Sequence, residues 1–262
     1  MDRGVPTIEL LGVPFARLDA DAAVAAVERL YESDAPGLVF HANAHTLNLA
    51  AEDPSYGDVL RSADLVLNDG KGMLVAARLQ GKRLPADLNG NLIGPLLLER
   101  AALRGWPVFL FGARPGVAER AAARLGASIP GLEIAGVRHG YFSADEEAEV
   151  VRAIREAGTG LLFAGLGNPR QERWLARCLG ATGARVGVGV GAFIDFQAGE
   201  VRRAPGWMNR MGLEWVQRLL LDPRRMWRRY ILGNPKFIAR VLIERRRSAA
   251  ALERGAGRGE LR

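Results

Sequence analysis

Apolar residues come in short blocks along this chain, separated by stretches of a different period. Leu38-Val39-Phe40, Leu65-Val66-Leu67, Pro107 to Phe111, Leu132 to Val137, Leu161-Leu162-Phe163-Ala164 and Val186 to Val190 are nearly continuous apolar runs. Runs of that length, bounded by turn residues, predict strands buried on both faces. Between them lie amphipathic segments that predict helices: about Ala20 to Ser33 behind an Asp19 cap, Thr46 to Glu52, Lys71 to Gln80, Asn91 to Arg104, Val117 to Leu125 and Ala144 to Glu156. A further helix should open at Asn168 as cap with Pro169 in its first position. Thr7 to Phe15 predicts a strand or hairpin. Strands alternating with helices at this spacing predict an α/β chain with a doubly wound, mostly parallel sheet.

From Glu200 the pattern changes. Val201 to Pro205 reads as a linker, and Trp207, Met211 and Trp215 recur at i, i+4, i+8, a helical face expected to dock on the main domain. Asp222-Pro223 and Asn234-Pro235 each stop one helix and start another. The last carries Phe237, Ile238, Val241 and Leu242 among Lys236, Arg240, Arg245, Arg246 and Arg247. The expected organisation is an α/β domain over 1–200, a helical appendage over 201–247 and a disordered tail over 248–262.

Charge sharpens this division. The chain carries a net +7 with a pI near 10.2, but residues 200–262 hold 16 Arg and Lys against 6 acidic residues, a net of +10, while the preceding 199 residues stand at 20 against 23. The basic quarter seeks a polyanion: nucleic acid, an anionic membrane surface or a phosphorylated substrate. An apolar stripe bordered by cations suits a membrane interface, and it suits equally a contact with a second subunit or an ordinary solvated helix. No apolar stretch reaches membrane-span length, no signal-peptide layout opens the chain, and the single Cys178 fits a reducing compartment. A cytoplasmic protein that does not cross the bilayer is expected.

Candidate chemistry gathers where the strands end, as ligands do in open α/β sheets. Asn68-Asp69-Gly70 halts one strand in a carboxylate beside a glycine, so Asp69 is the candidate for chemistry; the alternatives are a plain turn or a cap for the next helix. His41-Ala42-Asn43-Ala44-His45 ends another. His41 and His45 are spaced like a helical metal pair, but the strand should end between them and no third ligand is near, so substrate contact or a hydrogen-bonded pair is expected. Asn43 suits recognition of a sugar or base, or serves as a local turn amide. Arg83 either is solvated or reaches a phosphate. Gly112-Ala113-Arg114-Pro115-Gly116 would make a diphosphate cradle at a helix start, without the full dinucleotide fingerprint. Asp19-Ala20-Asp21 imitates an acid-x-acid metal site but is explained by capping, and no metal site is expected. Arg218, Arg225 and Arg228, seven and then three residues apart, could line one side of the appendage, a costly arrangement without an anion to receive it.

Taken in order, Asp69-Gly70, Gly112, Gly140-Tyr141-Phe142, Gly165-Leu166-Gly167-Asn168-Pro169-Arg170-Gln171-Glu172, Arg203-Ala204-Pro205, Gly212-Leu213-Glu214-Trp215 and Pro223-Arg224-Arg225 through Arg228-Arg229-Tyr230 resemble the WecG/TagA/CpsF bacterial glycosyltransferases. The resemblance runs from about Ile8 to Tyr230. It implies a Rossmann-like catalytic domain with a helical, basic, membrane-proximal appendage. It also implies inverting, metal-independent transfer from a UDP-sugar, commonly UDP-N-acetylmannosamine or its uronic acid, to a sugar on a polyprenyl diphosphate, in cell-surface polysaccharide or teichoic acid synthesis. Asp69 matches the base; Asn43, Arg83 and Gln171 match pocket residues; Arg218, Arg225 and Arg228 match arginines that close over the donor diphosphate. His41 stands where the family carries threonine. Such an enzyme needs no cofactor, would meet its lipid-linked acceptor at the inner face of the cell membrane, and would bind no nucleic acid. A basic nucleic-acid-binding protein and a nicotinamide-dependent oxidoreductase are the rival readings; the first leaves the loop constellation unused, and the second lacks the glycine fingerprint and its ribose-binding acid.

Overall fold

The computed structural model describes residues 4–201, 208, 214–221 and 223–259, and among these not the side chains of Glu214, Arg218, Arg225 or residues 248–259. Six strands form one parallel sheet: β3 (Gly37–Ala42), β4 (Leu65–Asn68), β5 (Val108–Gly112), β6 (Ile134–Arg138), β7 (Leu161–Gly165) and β8 (Val186–Gly189), in the order β4-β3-β8-β7-β5-β6. β1 (Thr7–Leu10) and β2 (Val13–Ala16) make a separate antiparallel hairpin.

Alternate residues of β3, β4, β5, β7 and β8 feed opposite cores, because successive side chains leave a strand on opposite faces. Val39, Leu65, Leu67, Leu110, Phe163 and Val188 face one core, closed by the helices Ala20–Glu32, Gly90–Arg104, Val117–Ser128 and Phe193–Ala198. Phe40, Ala42, Val66, Phe111, Leu162 and Ala164 face the other, closed by Pro54–Arg61, Lys71–Leu79, Glu147–Glu156, Arg170–Thr182 and the hairpin. Burial on both faces is why these strands lack polar alternation. The chain runs from β3 outward to β4, then crosses to β5 on the other side of β3 and comes back through β6 and β7 to β8, so the order of strands reverses between β3 and β8. Open α/β sheets bind their ligands beyond the carboxyl ends of the strands at such a point.

Local expectations hold in most places and fail in identifiable ones. The helices Pro54–Arg61 and Phe193–Ala198 were not expected; at eight and six residues they are too short for a periodic signal. Asn168 does not cap the helix Arg170–Thr182, whose first flanking residue is Pro169. At the far end the helix Glu214–Leu221, the short helix Pro223–Trp227 and a π-helical turn Arg228–Leu232 lead into one long helix, Gly233–Gly259. Pro235 falls in the first turn of that helix, where its missing N–H costs nothing, so the expected break at Asn234-Pro235 is absent and helix continues through residues 248–259. Trp207, Met211 and the Arg202-Arg203 linker lie outside the described residues. Phe237 and Val241, four apart, bury one face of the long helix in the second core. No helix among the described residues is long and apolar enough to cross a membrane.

Candidate active site

β4 ends in Asn68, and Asp69 follows it beside the end of β3: its N–H donates to the Ala42 carbonyl at 2.9 Å. One carboxylate oxygen, Oδ2, accepts from Asn43 Nδ2 at 2.8 Å. The capping alternative for Asp69 is excluded, because the cap position of the helix Lys71–Leu79 is Gly70 and no side chain caps it. Gly70 sits at φ 92°, a left-handed turn that glycine adopts without strain, and this turns the chain sharply away from the carboxylate.

Asn43 combines the two roles left open for it. Its Oδ1 caps the helix Ala44–Glu52 by accepting from the N–H groups of His45 and Thr46 at 3.0 and 3.2 Å, and its amide nitrogen holds Asp69. Because the cap fixes which end of the amide is oxygen, the nitrogen is oriented toward the carboxylate. Two residues not among the expected site residues fix the Asp69 turn from its other side. Asp87 Oδ1 accepts from the Gly70 N–H at 2.8 Å, and fully buried Asn68 donates to the Ala86 carbonyl at 2.9 Å. Asn68 was detectable as an amide ending an apolar run; Asp87, in a turn-rich loop, carried no such signal.

His41 and His45 part company. His41 is buried in β3 and its Nδ1 lies 3.0 Å from the Gly189 carbonyl of β8, across the switch point. A carbonyl only accepts, so Nδ1 carries the proton and Nε2, buried without a partner, is a bare acceptor. Burial pushes the imidazole's pKa down, opposed by the negative charge of Asp69 and by the bond to Gly189. His45 rides the helix Ala44–Glu52, its pKa pushed down to about 4 by burial first and by the Arg229 cation second, with Glu52 opposing. Among the described residues no three His, Cys, Asp or Glu side chains gather as a metal site.

Gln171 closes the β8 side. Its Oε1 accepts from the Gly191 N–H at 3.0 Å and its Nε2 donates to Glu172 Oε1 at 2.8 Å. Asn168 donates to the same oxygen at 2.5 Å. Glu172 is fully buried, and burial pushes its pKa up to about 7 against the hydrogen bonds that favour its charge. His41, Gly189 and Gln171 thus form one wall, with Asn43 and Asp69 beside it.

The remaining candidates are more dispersed. Gly112 ends β5 at φ 146°, and a Cβ there would lie 2.4 Å from the Gly165 carbonyl oxygen. That close approach of β5 to β7 demands glycine whether or not a diphosphate binds. Its neighbour Ala113 holds φ 57°, a left-handed conformation that costs a non-glycine residue about 1 kcal/mol and is braced by bonds to Gly165 and Gly140. Arg83 is exposed on the loop that carries Ala86 and Asp87. Arg228 is exposed beside the Trp227 ring at 5.4 Å. Arg218 and Arg225 have helical backbone, and their side chains lie outside the described residues.

The sequence also matches known proteins. The profile of the glycosyl transferase WecG/TagA/CpsF family matches residues 8–251. A Bacillus subtilis (strain 168) protein named N-acetylglucosaminyldiphosphoundecaprenol N-acetyl-beta-D-mannosaminyltransferase is 31% identical over 233 residues, covering 88% of this chain and 90% of its own. A protein of the same name from Bacillus spizizenii is 36% identical over 200 residues, 76% of each chain.

Proposed function

The chain belongs to the WecG/TagA/CpsF glycosyltransferase family, and on that premise we propose that it transfers N-acetylmannosamine from a UDP-linked donor to an N-acetylglucosamine carried on a polyprenyl diphosphate, with inversion and without a divalent cation. The observation that carries this reading is the Asp69 carboxylate, oriented by Asn43 at the carboxyl end of the sheet. A sugar hydroxyl is a poor nucleophile at neutral pH. Asp69 takes its proton as the oxygen bonds to the anomeric carbon of the donor, opposite the breaking bond to UDP. One carboxylate oxygen is engaged by Asn43; the other is the base.

UDP leaves with the bonding electron pair, so negative charge grows on its phosphate oxygens. Arg218, Arg225 and Arg228 are the groups proposed to receive it. Gln171, its amide engaged by Gly191 and Glu172, and His41, its Nε2 buried, back the proposed sugar pocket from behind; on this reading Gly112 and Arg83 lie toward the nucleotide. Transfer of UDP-N-acetylmannosamine to a short-chain polyprenyl-diphosphate N-acetylglucosamine, followed by mass spectrometry, tests the reading. Product is expected with undiminished yield in excess chelator. No product, or loss of activity on chelation alone, overturns it. In thermal-shift assays UDP should stabilise the protein while NAD and oligonucleotides do not.

The appendage, proposed as residues 201–247, brings the enzyme to its lipid acceptor. Among the described residues, seven of the eleven exposed large apolar side chains lie between Leu220 and Ile243, interleaved with Arg224, Arg228 and Arg229 and followed by Arg245 to Arg247. Such a surface lies in an interface with its apolar residues at the acyl boundary and its cations on anionic headgroups. Co-flotation with phosphatidylglycerol vesicles is expected at low salt, falling as salt screens the cations. Replacing Ile231 and Leu232 together by Glu should abolish it. Equal flotation with purely zwitterionic vesicles would refute the electrostatic part.

A further inference from the structure

Asn48 commits its whole side chain to the C-terminal arm. Its Nδ2 donates to the Gly233 carbonyl at 2.8 Å, and its Oδ1 accepts from Arg240 Nη1 at 2.8 Å. The same guanidinium nitrogen reaches the Asn48 backbone oxygen at 3.0 Å. Asn48 is 5% exposed, so this is a buried polar contact between segments 185 or more residues apart in sequence. One turn further along, Glu52 receives Lys236 and the other Arg240 nitrogen.

The helix that carries Asn48 begins at Asn43, the residue that holds Asp69. Five residues, about 7.5 Å of helical rise, separate the arm's anchor from the partner of the base. On the arm, Gly233 directly follows the turn Arg228–Leu232, and the charge of Arg229 is felt at His45, two residues from Asn43. Burial of Phe237 and Val241 attaches the long helix, but apolar burial has no direction and would tolerate sliding. Three aligned hydrogen bonds do not.

We propose that Asn48 and Arg240 are positioning residues that set the arginine arm, residues 214–221 and 223–232, at its working distance from Asp69, and so fix where the leaving diphosphate is received. This rests on the assignment of UDP as leaving group above. Neither residue touches substrate; they act through the helix Ala44–Glu52 and through Gly233.

The test compares wild type with Asn48→Ala, Arg240→Lys and Lys236→Ala by calorimetric UDP titration and steady-state kinetics against both substrates. Arg240→Lys keeps the charge facing Glu52 and loses the two-pronged grip on Asn48. Misplacement by a fraction of an ångström should raise the UDP Kd and the UDP-sugar KM about tenfold and lower kcat, with the acceptor KM within about twofold. Lys236→Ala should match wild type. Variants that lose kcat only in proportion to folded protein, with unchanged UDP Kd, would overturn the proposal, since that is what a purely structural contact predicts. Should Asn48→Ala fail to fold, Arg240→Lys decides by the same criterion. A wild type that itself neither binds UDP nor transfers sugar refutes the donor assignment, and the positioning role with it; a wild type that does both while Arg240→Lys binds UDP normally refutes the positioning role alone.

Discussion

Asp69→Asn is expected to lower kcat by about 10²–10⁴-fold, the usual span for removing a positioned general base, while the KM for UDP-sugar stays within about twofold. The substitution keeps shape and keeps an oxygen to accept from Asn43 Nδ2. The backbone bond from residue 69 to the Ala42 carbonyl and the brace from Asp87 to the Gly70 N–H do not involve the replaced atoms. Folding should therefore be unaffected, and a thermal melt within about 2 °C of wild type would show that lost turnover is lost chemistry. An amide cannot take the acceptor proton, so the loss should fall on kcat and on the acceptor kcat/KM alike. Near wild-type turnover would remove Asp69 from the mechanism. Asn43→Ala should have a smaller effect, about tenfold, because the carboxylate remains and only its orientation and the helix cap are lost.

How much of this was legible beforehand depends on whether a residue's role is local. Leu65 to Asp69 is a strand and its end, readable from adjacent residues, and so the sheet and the base candidate both follow from sequence. Gly112 was equally visible, but what demands glycine there is the Gly165 carbonyl of another strand, which no local pattern contains. The i, i+4 spacing of His41 and His45 imitates a metal pair, and the expectation that the strand ends between them holds. Asn43 caps a helix between them, so one ring belongs to a strand and the other to a helix. Asn48 was least visible of all: it sits beside Leu47 on a short helix, and its burial is created by a segment almost two hundred residues later. Roles set by nearest neighbours along the chain could be read; roles set by neighbours across the fold needed the fold.

Glu172→Gln is expected to stabilise the protein at pH 8 and to leave it unchanged near pH 4. The folded-state pKa of Glu172 is raised to about 7 from 4.5, with burial as the first cause. Below about pH 4.5 the carboxyl is protonated both folded and unfolded, and it exacts no penalty. Between there and pH 7 the unfolded chain loses the proton while the folded chain keeps it, so stability falls as pH rises; above 7 the whole penalty is present. A shift of that size corresponds to about 3 kcal/mol. Glutamine keeps an oxygen for Asn168 and Gln171 and never ionises, so the variant escapes the loss. Urea unfolding of both proteins from pH 4 to pH 8 should give curves that coincide at the acid end and separate through neutrality in the variant's favour. Taking the difference cancels every group that titrates alike in the two. Parallel curves would show that Glu172 is not held neutral by its surroundings. The partners decide between a buried carboxylate and a buried acid: two amides donate to one oxygen, the other oxygen has no donor, and half-satisfied ionic groups are the ones that keep their protons.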